Sequence, residues 1–129
     1  MKIKMAAEKN FENRLKKWLQ SEGIYPLGTP PDKMPTPPCG YYEKRFANRM
    51  TKSGLPDMHI CVKGIAVETE VKAETGTPSD MQLFMIDQIR NSGGFAFVVF
   101  PSGFDKFKHF IKELKRDCFT TEDQEVILR

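Results

Sequence analysis

Two carboxylates and a lysine have the residue types and spacing that could support hydrolysis: Asp57, Glu70 and Lys72. Two acids held close together repel each other unless a cation lies between them, and oxygen ligands of this kind suit Mg²⁺ or Mn²⁺. A bound divalent ion polarises a phosphoryl oxygen and acidifies a water, while a nearby ammonium offsets transition-state charge. The three residues could therefore form a metal-assisted hydrolysis site.

A β-hairpin is the element that must bring these residues together. Residues 57–63 and 65–72 each alternate between apolar and polar side chains, which is typical of strands with one buried face. Lys63 and Gly64 are the expected turn residues, because Gly64 tolerates the positive φ of a tight turn. The predicted apolar faces are Met58, Ile60 and Val62 on one strand and Ile65, Val67, Thr69 and Val71 on the other.

This turn determines which residues lie opposite each other. Counting outward along both strands places Asp57 opposite Glu70, with Cβ atoms about 4.5–5.5 Å apart. The same register places His59 opposite Glu68, so this pair becomes the reserve if the register differs. A four-residue loop keeps the register, whereas a three-residue loop breaks it. The competing interpretation is that these residues form the solvated polar face of an ordinary antiparallel hairpin.

The order Pro56-Asp57, hairpin turn, Glu70-Val71-Lys72 resembles the signature of the PD-(D/E)XK nuclease superfamily. Gly54 before this motif and Gln82 at the start of a helix make the chain similar to the VRR-NUC and Holliday-junction-resolvase-like endonucleases, including small phage-encoded members. The resemblance covers about residues 8–114. It favours a nuclease over the polar-face interpretation.

The resemblance implies a restriction-endonuclease-like α/β core and roles for individual residues. Asp57, Glu70 and the Val71 carbonyl would hold Mg²⁺ or Mn²⁺. Lys72 would position the attacking water or offset negative charge in the transition state. Gln82 would orient the nucleophile or contact a phosphate. In the resembling family a first-helix glutamate is a further site acid.

The first helix is predicted from about Ala6 to Ser21, and two of its glutamates are candidates for that further acid. Glu8 falls inside the apolar stripe and Glu12 on its edge, and a buried carboxylate needs a partner. The helix dipole could supply one for Glu8. Glu12 fits the family spacing best and would complete the metal shell or bind a second ion. The predicted stripe is Phe11, Leu15, Trp18 and Leu19.

A second helix is predicted over Ser79–Asn91. Thr77 is the expected N-cap, Pro78 the first helical residue and Asp80 the partner at capping-box spacing. Gln82 lies off its predicted apolar face. That face comprises Met81, Phe84, Met85 and Ile89.

The rest of the second half predicts a crossover unit and a last helix. Residues 65–72, the second helix and the apolar run 95–100 form a strand–helix–strand unit, so the two strands should be parallel neighbours. A last amphipathic helix follows, with Phe104, Phe107, Ile111 and Leu114 on its buried face. The expected fold is an α/β mixed sheet with a central hairpin flanked by helices.

Residues 40–53 interleave aromatic with basic side chains. This composition suits a nucleic-acid backbone, through phosphate contacts and stacking. It equally suits a strand with its aromatics in the core and its charges in water, and both can hold at once. The basic residues expected to contact nucleic acid are Lys44, Arg45, Arg49 and Lys52.

Length and composition predict a single domain over residues 1–129. Six of the nine prolines lie from Pro26 to Pro38, which predicts a surface loop over about 26–39 and excludes a helix or central strand there. A net charge of +3 is compatible with a phosphate-bearing partner. Three scattered cysteines and no apolar run long enough for a membrane span predict a cytoplasmic protein.

The expected function is a Mg²⁺- or Mn²⁺-dependent deoxyribonuclease that cuts DNA internally, for example at a Holliday junction or a flap. The alternative is a non-catalytic nucleic-acid-binding module that keeps the nuclease fold. A third interpretation is an unrelated α/β binding domain without metal affinity. A junction resolvase would act as a homodimer, because it cuts two strands related by a two-fold axis.

Overall fold

The computed structural model describes residues 2–46 and 53–116. These residues form a mixed α/β fold with one five-stranded sheet, which confirms the predicted α/β class. The elements are α1 (Lys2–Ser21), β1 (Ile24–Pro26), β2 (Gly40–Lys44), β3 (Met58–Val62), β4 (Ile65–Val71), α2 (Asp80–Asn91), β5 (Phe95–Val99) and α3 (Phe104–Arg116), with short 3-10 turns at Pro31–Lys33 and Pro101–Gly103. Within the two described ranges, no helix has the length and apolar character to cross a membrane.

The five strands lie side by side in chain order, with β3 in the centre. β2, β3 and β4 are antiparallel neighbours, while the β1–β2 and β4–β5 pairs are parallel. The predicted parallel crossover from β4 through α2 to β5 is therefore confirmed. β1 was not predicted, since the predicted proline-rich loop begins at about Pro26 and no strand was predicted before it. Its position at the sheet edge explains how a strand can end in Pro26, because an edge strand tolerates a missing backbone donor.

The β3–β4 hairpin has the predicted register. Val62 pairs with Ile65, and His59 pairs with Glu68. Lys63 and Gly64 form the turn with φ values of 51° and 83°, as a two-residue hairpin loop with both φ values positive requires. The hairpin's apolar face forms the centre of the core, where the buried residues are Met58, Ile60, Val62, Val67, Thr69 and Val71.

Helices α1 and α3 cover that apolar face of the sheet. Phe11 of α1 packs edge-on against Phe104 of α3, with ring centroids 5.3 Å apart. Trp18, predicted to be buried, is only partly buried and lies against the same Phe104 ring. The other buried members of the two helices are Leu15, Leu19, Phe107, Ile111 and Leu114. The apolar stripes that the sequence predicts for both helices are therefore largely confirmed.

Helix α2 differs from its prediction in both its cap and its face. Ser79 is the N-cap, rather than Thr77, and Gln82 is its capping-box partner, rather than Asp80. Ile86 is the buried residue, whereas Met81 and Phe84 are exposed. The helix packs mainly against β5, so only a narrow strip centred on Ile86 is covered. Gln82 lies one turn before Ile86 and therefore faces inward.

Candidate functional site

Asp57 and Glu70 are joined across the open end of the hairpin. The Asp57 backbone N–H donates to Glu70 Oε2 at 3.1 Å, and the Val71 backbone N–H donates to Asp57 Oδ1 at 3.1 Å. The register of β3 and β4 brings these two residues into contact, because Asp57 directly precedes β3 and Glu70 lies near the end of β4. The Asp57 side chain remains 19% exposed, whereas Glu70 is only 4% exposed.

Lys72 and Gln82 complete the surroundings of Glu70. Lys72 Nζ lies 3.6 Å from Glu70 Oε1, and Gln82 Nε2 donates to the same oxygen at 2.9 Å. The capping box holds the Gln82 amide in this orientation, because its Oε1 accepts from the Ser79 N–H at 2.8 Å. The N-cap of α2 therefore directs an amide donor at the buried carboxylate.

Glu70 is short of positive charge. Burial, together with the negative charges of Asp57 and Glu8, raises the pKa of Glu70 to about 7. The Lys72 charge and the Asp57 N–H lower this pKa but do not restore its ordinary value. An acid whose charged form is disfavoured in this way would gain from a bound cation.

Glu12 has the opposite environment, although it is equally buried, with 4% exposed. Lys9 and Lys16 lie 2.9 and 3.2 Å from its Oε2, and Lys44 donates to its Oε1. Burial alone would raise the pKa of Glu12, but these ammonium groups lower it to about 2. Glu12 is therefore fully neutralised by lysines of the chain itself.

Lys44 connects Glu12 to Asp57, because its ammonium group contacts both carboxylates. Its Nζ donates to Asp57 Oδ2 at 3.0 Å as well as to Glu12. Burial alone would lower the pKa of Lys44, but the two carboxylates raise it, so the side chain stays protonated. Glu8, the second-choice acid, borders a surface recess beside Lys44. Among the described side chains Glu8 has no ion pair.

A second polar cluster lies along the same hairpin face. Arg45 Nη1 donates to Glu68 and also to the Pro56 carbonyl, the latter at 2.8 Å. His59 Nδ1 contacts the other Glu68 oxygen. Lys44 and Arg45, both predicted to contact nucleic acid, are thus engaged in internal ion pairs. The other two residues of that prediction, Arg49 and Lys52, lie outside the described residues.

The donor set around Asp57 and Glu70 fits a hard divalent cation. It offers two carboxylates and the neighbouring Val71 carbonyl, all oxygen ligands, and Lys72, at 3.6 Å, only partly offsets the charge of Glu70. In the part of the chain that is described, no group of three or more His, Cys, Asp or Glu side chains converges as a metal site. Any ion here would therefore complete its shell with water or substrate oxygens.

Neither comparison with known proteins identifies a relative, since no family model matches the chain and no curated protein matches it.

The bridging position of Lys44 was not predicted, although the sequence contains a signal for it. Tyr42 is buried in β2, and side chains two residues apart on a strand share a face. Lys44 therefore projects toward the same side of the sheet as Tyr42, where α1 carries Glu12. Only the packing of α1 on the sheet brings the ammonium and this carboxylate into contact.

Proposed function

We propose that this chain is a metal-dependent endonuclease that hydrolyses phosphodiester bonds in DNA, built on a restriction-endonuclease-like core. The observation that carries the proposal is the pair formed by Asp57 and the buried Glu70, joined by two hydrogen bonds and flanked by Lys72. An α/β sheet with a central hairpin supports the same class of fold.

In this proposal Asp57, Glu70 and the Val71 carbonyl would hold one Mg²⁺ or Mn²⁺. The ion would polarise the scissile phosphate and acidify a water. Lys72 and Gln82 both adjoin Glu70, where the former would offset charge on the phosphate and the latter would keep the carboxylate oriented. In the hydrolysis, the water oxygen bonds to phosphorus, one phosphorus–oxygen ester bond breaks, and the departing oxygen takes up a proton.

The alternative, a non-catalytic nucleic-acid-binding module with this fold, is favoured by one observation. Two acids rather than three meet at the hairpin, and the described ranges hold no larger cluster of metal-binding side chains. This module would bind DNA without a divalent ion and would not depend on Glu70.

Cleavage of a labelled DNA set distinguishes the two functions. The set comprises linear duplex, single strand, flap and four-way junction, each with Mg²⁺, Mn²⁺ or EDTA. The nuclease proposal predicts metal-dependent cutting that Asp57→Asn and Lys72→Met abolish. Lys112→Met, on an exposed position of α3, is the matched control and should cut normally.

Binding without cutting in either metal, unchanged in both variants, would replace the nuclease with the binding module. The preferred substrate would also define the assembly. If only the four-way junction is cut, the active species should be a homodimer, since two symmetry-related strands must be cleaved.

A further inference from the structure

The Lys44 ammonium lies inside the network of acids. Its side chain is 20% exposed, and it donates both to Asp57 Oδ2 and to Glu12 Oε1. Lys44 ends β2 and pairs with Met58 at the start of β3, which directs its side chain between the sheet and α1. A single positive charge therefore joins the two carboxylates from opposite sides.

Both acids that contact Lys44 already receive positive charge on the side that faces it. Glu12 Oε2 is already met by Lys9 and Lys16, and its Oε1 by Lys44. Asp57 receives Lys44 on Oδ2 and the Val71 N–H on Oδ1. A second divalent ion bridging Asp57 and Glu12 would need the position that Lys44 Nζ holds, and two cations there would repel each other.

Glu70 differs from both acids in this respect. Its only described ammonium neighbour is Lys72, at 3.6 Å, and its two hydrogen bonds come from an amide and a backbone N–H. Several lysine side chains therefore lie on the side of Asp57 that faces α1. On the side that faces β4, Lys72 is the one described ammonium near Glu70.

We propose that Lys44 is a resident cation that takes the place of a second metal ion, so that the site accepts one divalent ion, on the Glu70 side of Asp57. The ion on the Glu70 side rests on the proposed nuclease function, whereas the role of Lys44 does not. Lys44 is a positioning residue, since it acts through Asp57 and Glu12.

Counting bound Mn²⁺ tests this proposal without any DNA. Equilibrium dialysis with detection of free Mn²⁺ by electron paramagnetic resonance should give one ion per chain for the wild type. Lys44→Met leaves Glu12 and Asp57 facing each other without their shared ammonium and should gain one ion. The double variant Glu12→Gln/Lys44→Met is the matched control, because it removes the added site and should lose the gained ion.

A thermal melt supplies a second readout. Without metal, Lys44→Met should melt at a lower temperature than the wild type, and Mn²⁺ should raise its melting temperature more than it raises that of the wild type. Should Lys44→Met fail to fold, Glu12→Gln alone tests whether the wild-type site uses Glu12 to bind an ion. It should keep one ion with little change in affinity, because Glu12 is not a ligand.

Two ions in the wild type, or no additional ion in Lys44→Met, would overturn the proposal. A loss of affinity of about tenfold or more in Glu12→Gln would do the same. An ion gained by Lys44→Met over a wild type that binds none would support Lys44 as the resident cation. That last result would instead overturn the metal centre of the proposed nuclease, so the two failures are distinguishable.

Discussion

Glu12 and Glu70 are two carboxylates with the same burial and opposite electrostatics. Each is 4% exposed, yet the pKa of Glu12 is lowered to about 2 and that of Glu70 is raised to about 7. Three ammonium groups lie within 3.2 Å of Glu12, whereas Glu70 faces Asp57 and has its single lysine at 3.6 Å. Burial disfavours both ionised acids; three lysines reverse its effect on the pKa of Glu12, whereas the charge of Asp57 adds to its effect on the pKa of Glu70.

This contrast separates Glu12, which three lysines of the chain neutralise, from Glu70, which has a single lysine nearby. Glu12 fixes α1 to the end of β2 through Lys44, which is a structural role. Glu70 is held in place by donors that carry no charge, Gln82 and the Asp57 backbone. A buried acid that is held rigidly and has a single lysine near it would suit a divalent cation site that is formed before the ion arrives.

The largest difference between the two acids should appear in catalysis. Glu70→Gln removes a proposed metal ligand and should lower the single-turnover rate of DNA cleavage by about a thousandfold or more, since a metal supplies several kcal/mol of transition-state stabilisation. Glu12→Gln should lower this rate much less, because Lys44 stays on Asp57. Equal losses in the two variants would contradict the distinction.

In the absence of metal, Glu12→Gln should lose more stability than Glu70→Gln, the reverse of their order in cleavage rate. Glu12→Gln leaves three lysines without their shared carboxylate and should lower the free energy of unfolding by about 1–3 kcal/mol, a value reduced for the exposure of Lys9. Glu70→Gln removes a charge that burial disfavours and should leave this free energy unchanged or raise it by about 1–3 kcal/mol. Urea unfolding with EDTA measures both, and a less stable Glu70→Gln would show that Glu70 is already compensated.

The two acids should also contribute to stability in separate pH windows. Folded Glu70 keeps a proton that the unfolded chain releases, so its contribution falls as the pH rises from 4.5 to about 7. Folded Glu12 stays ionised, so its contribution is lost as the pH falls from 4.5 to about 2. Unfolding free energies of wild type minus Glu70→Gln and of wild type minus Glu12→Gln, measured across this range, should show these opposite slopes.

The effect of Mg²⁺ on the melting temperature tests whether the group with the raised pKa, Glu70, is a metal ligand. The proposed ion would bind the ionised form of Glu70, so the rise in melting temperature with Mg²⁺ should be larger above pH 7 than below it. The dependence should vanish in Glu70→Gln. If the rise in melting temperature with Mg²⁺ does not vary with pH, then Glu70, the group with the raised pKa, does not bind the metal.

The smallest effects should come from Gln82, which serves both the helix cap and the acid. Gln82→Ala loses the capping box and should lower the free energy of unfolding by about 0.5–2 kcal/mol. Gln82→Glu can keep the box, because glutamate is the usual residue at this position, but it replaces the amide donor beside Glu70 with a carboxylate. The Gln82→Glu substitution should therefore raise the pKa of Glu70. The contribution of Glu70 to the free energy of unfolding would then be lost over a pH range that extends to higher pH.

The hairpin was predictable because its determinants are local. Gly64 marks the turn, the alternation of β3 and β4 assigns their faces, and a one-residue slip would bury the acids, so the register was strongly specified. The contact between Asp57 and Glu70 follows from these features alone. The parallel β4–β5 pair was predictable for a similar reason, since a strand–helix–strand unit has one favoured hand.

The features of α2 were not predictable with equal accuracy. Thr77 and Ser79 are both good N-caps only two residues apart, and the choice between them depends on where the helix packs. Gly54, with a φ of 82°, lies so close to α2 that a Cβ there would be 2.7 Å from the Met81 carbonyl oxygen. That tertiary contact positions the first turn, and no local pattern near Met81 contains it.

The neutralisation of Glu12 depends likewise on tertiary structure. Lys9 and Lys16 lie on the same helix at spacings that favour an ion pair, so part of it was accessible from the sequence. Lys44 is far away in the chain and reaches Glu12 only after α1 packs on the sheet. The preference for Glu12 over Glu8 as a metal ligand therefore rested on spacing alone.

The most direct test of the central claim is a calorimetric titration of the metal-free protein with Mn²⁺ above pH 7, where Glu70 is ionised. The wild type and Glu12→Gln should each bind an ion, whereas Glu70→Gln should show no binding at concentrations that saturate the wild type. Binding by Glu70→Gln with the affinity of the wild type would contradict the assignment of the Asp57–Glu70 pair as a divalent cation site.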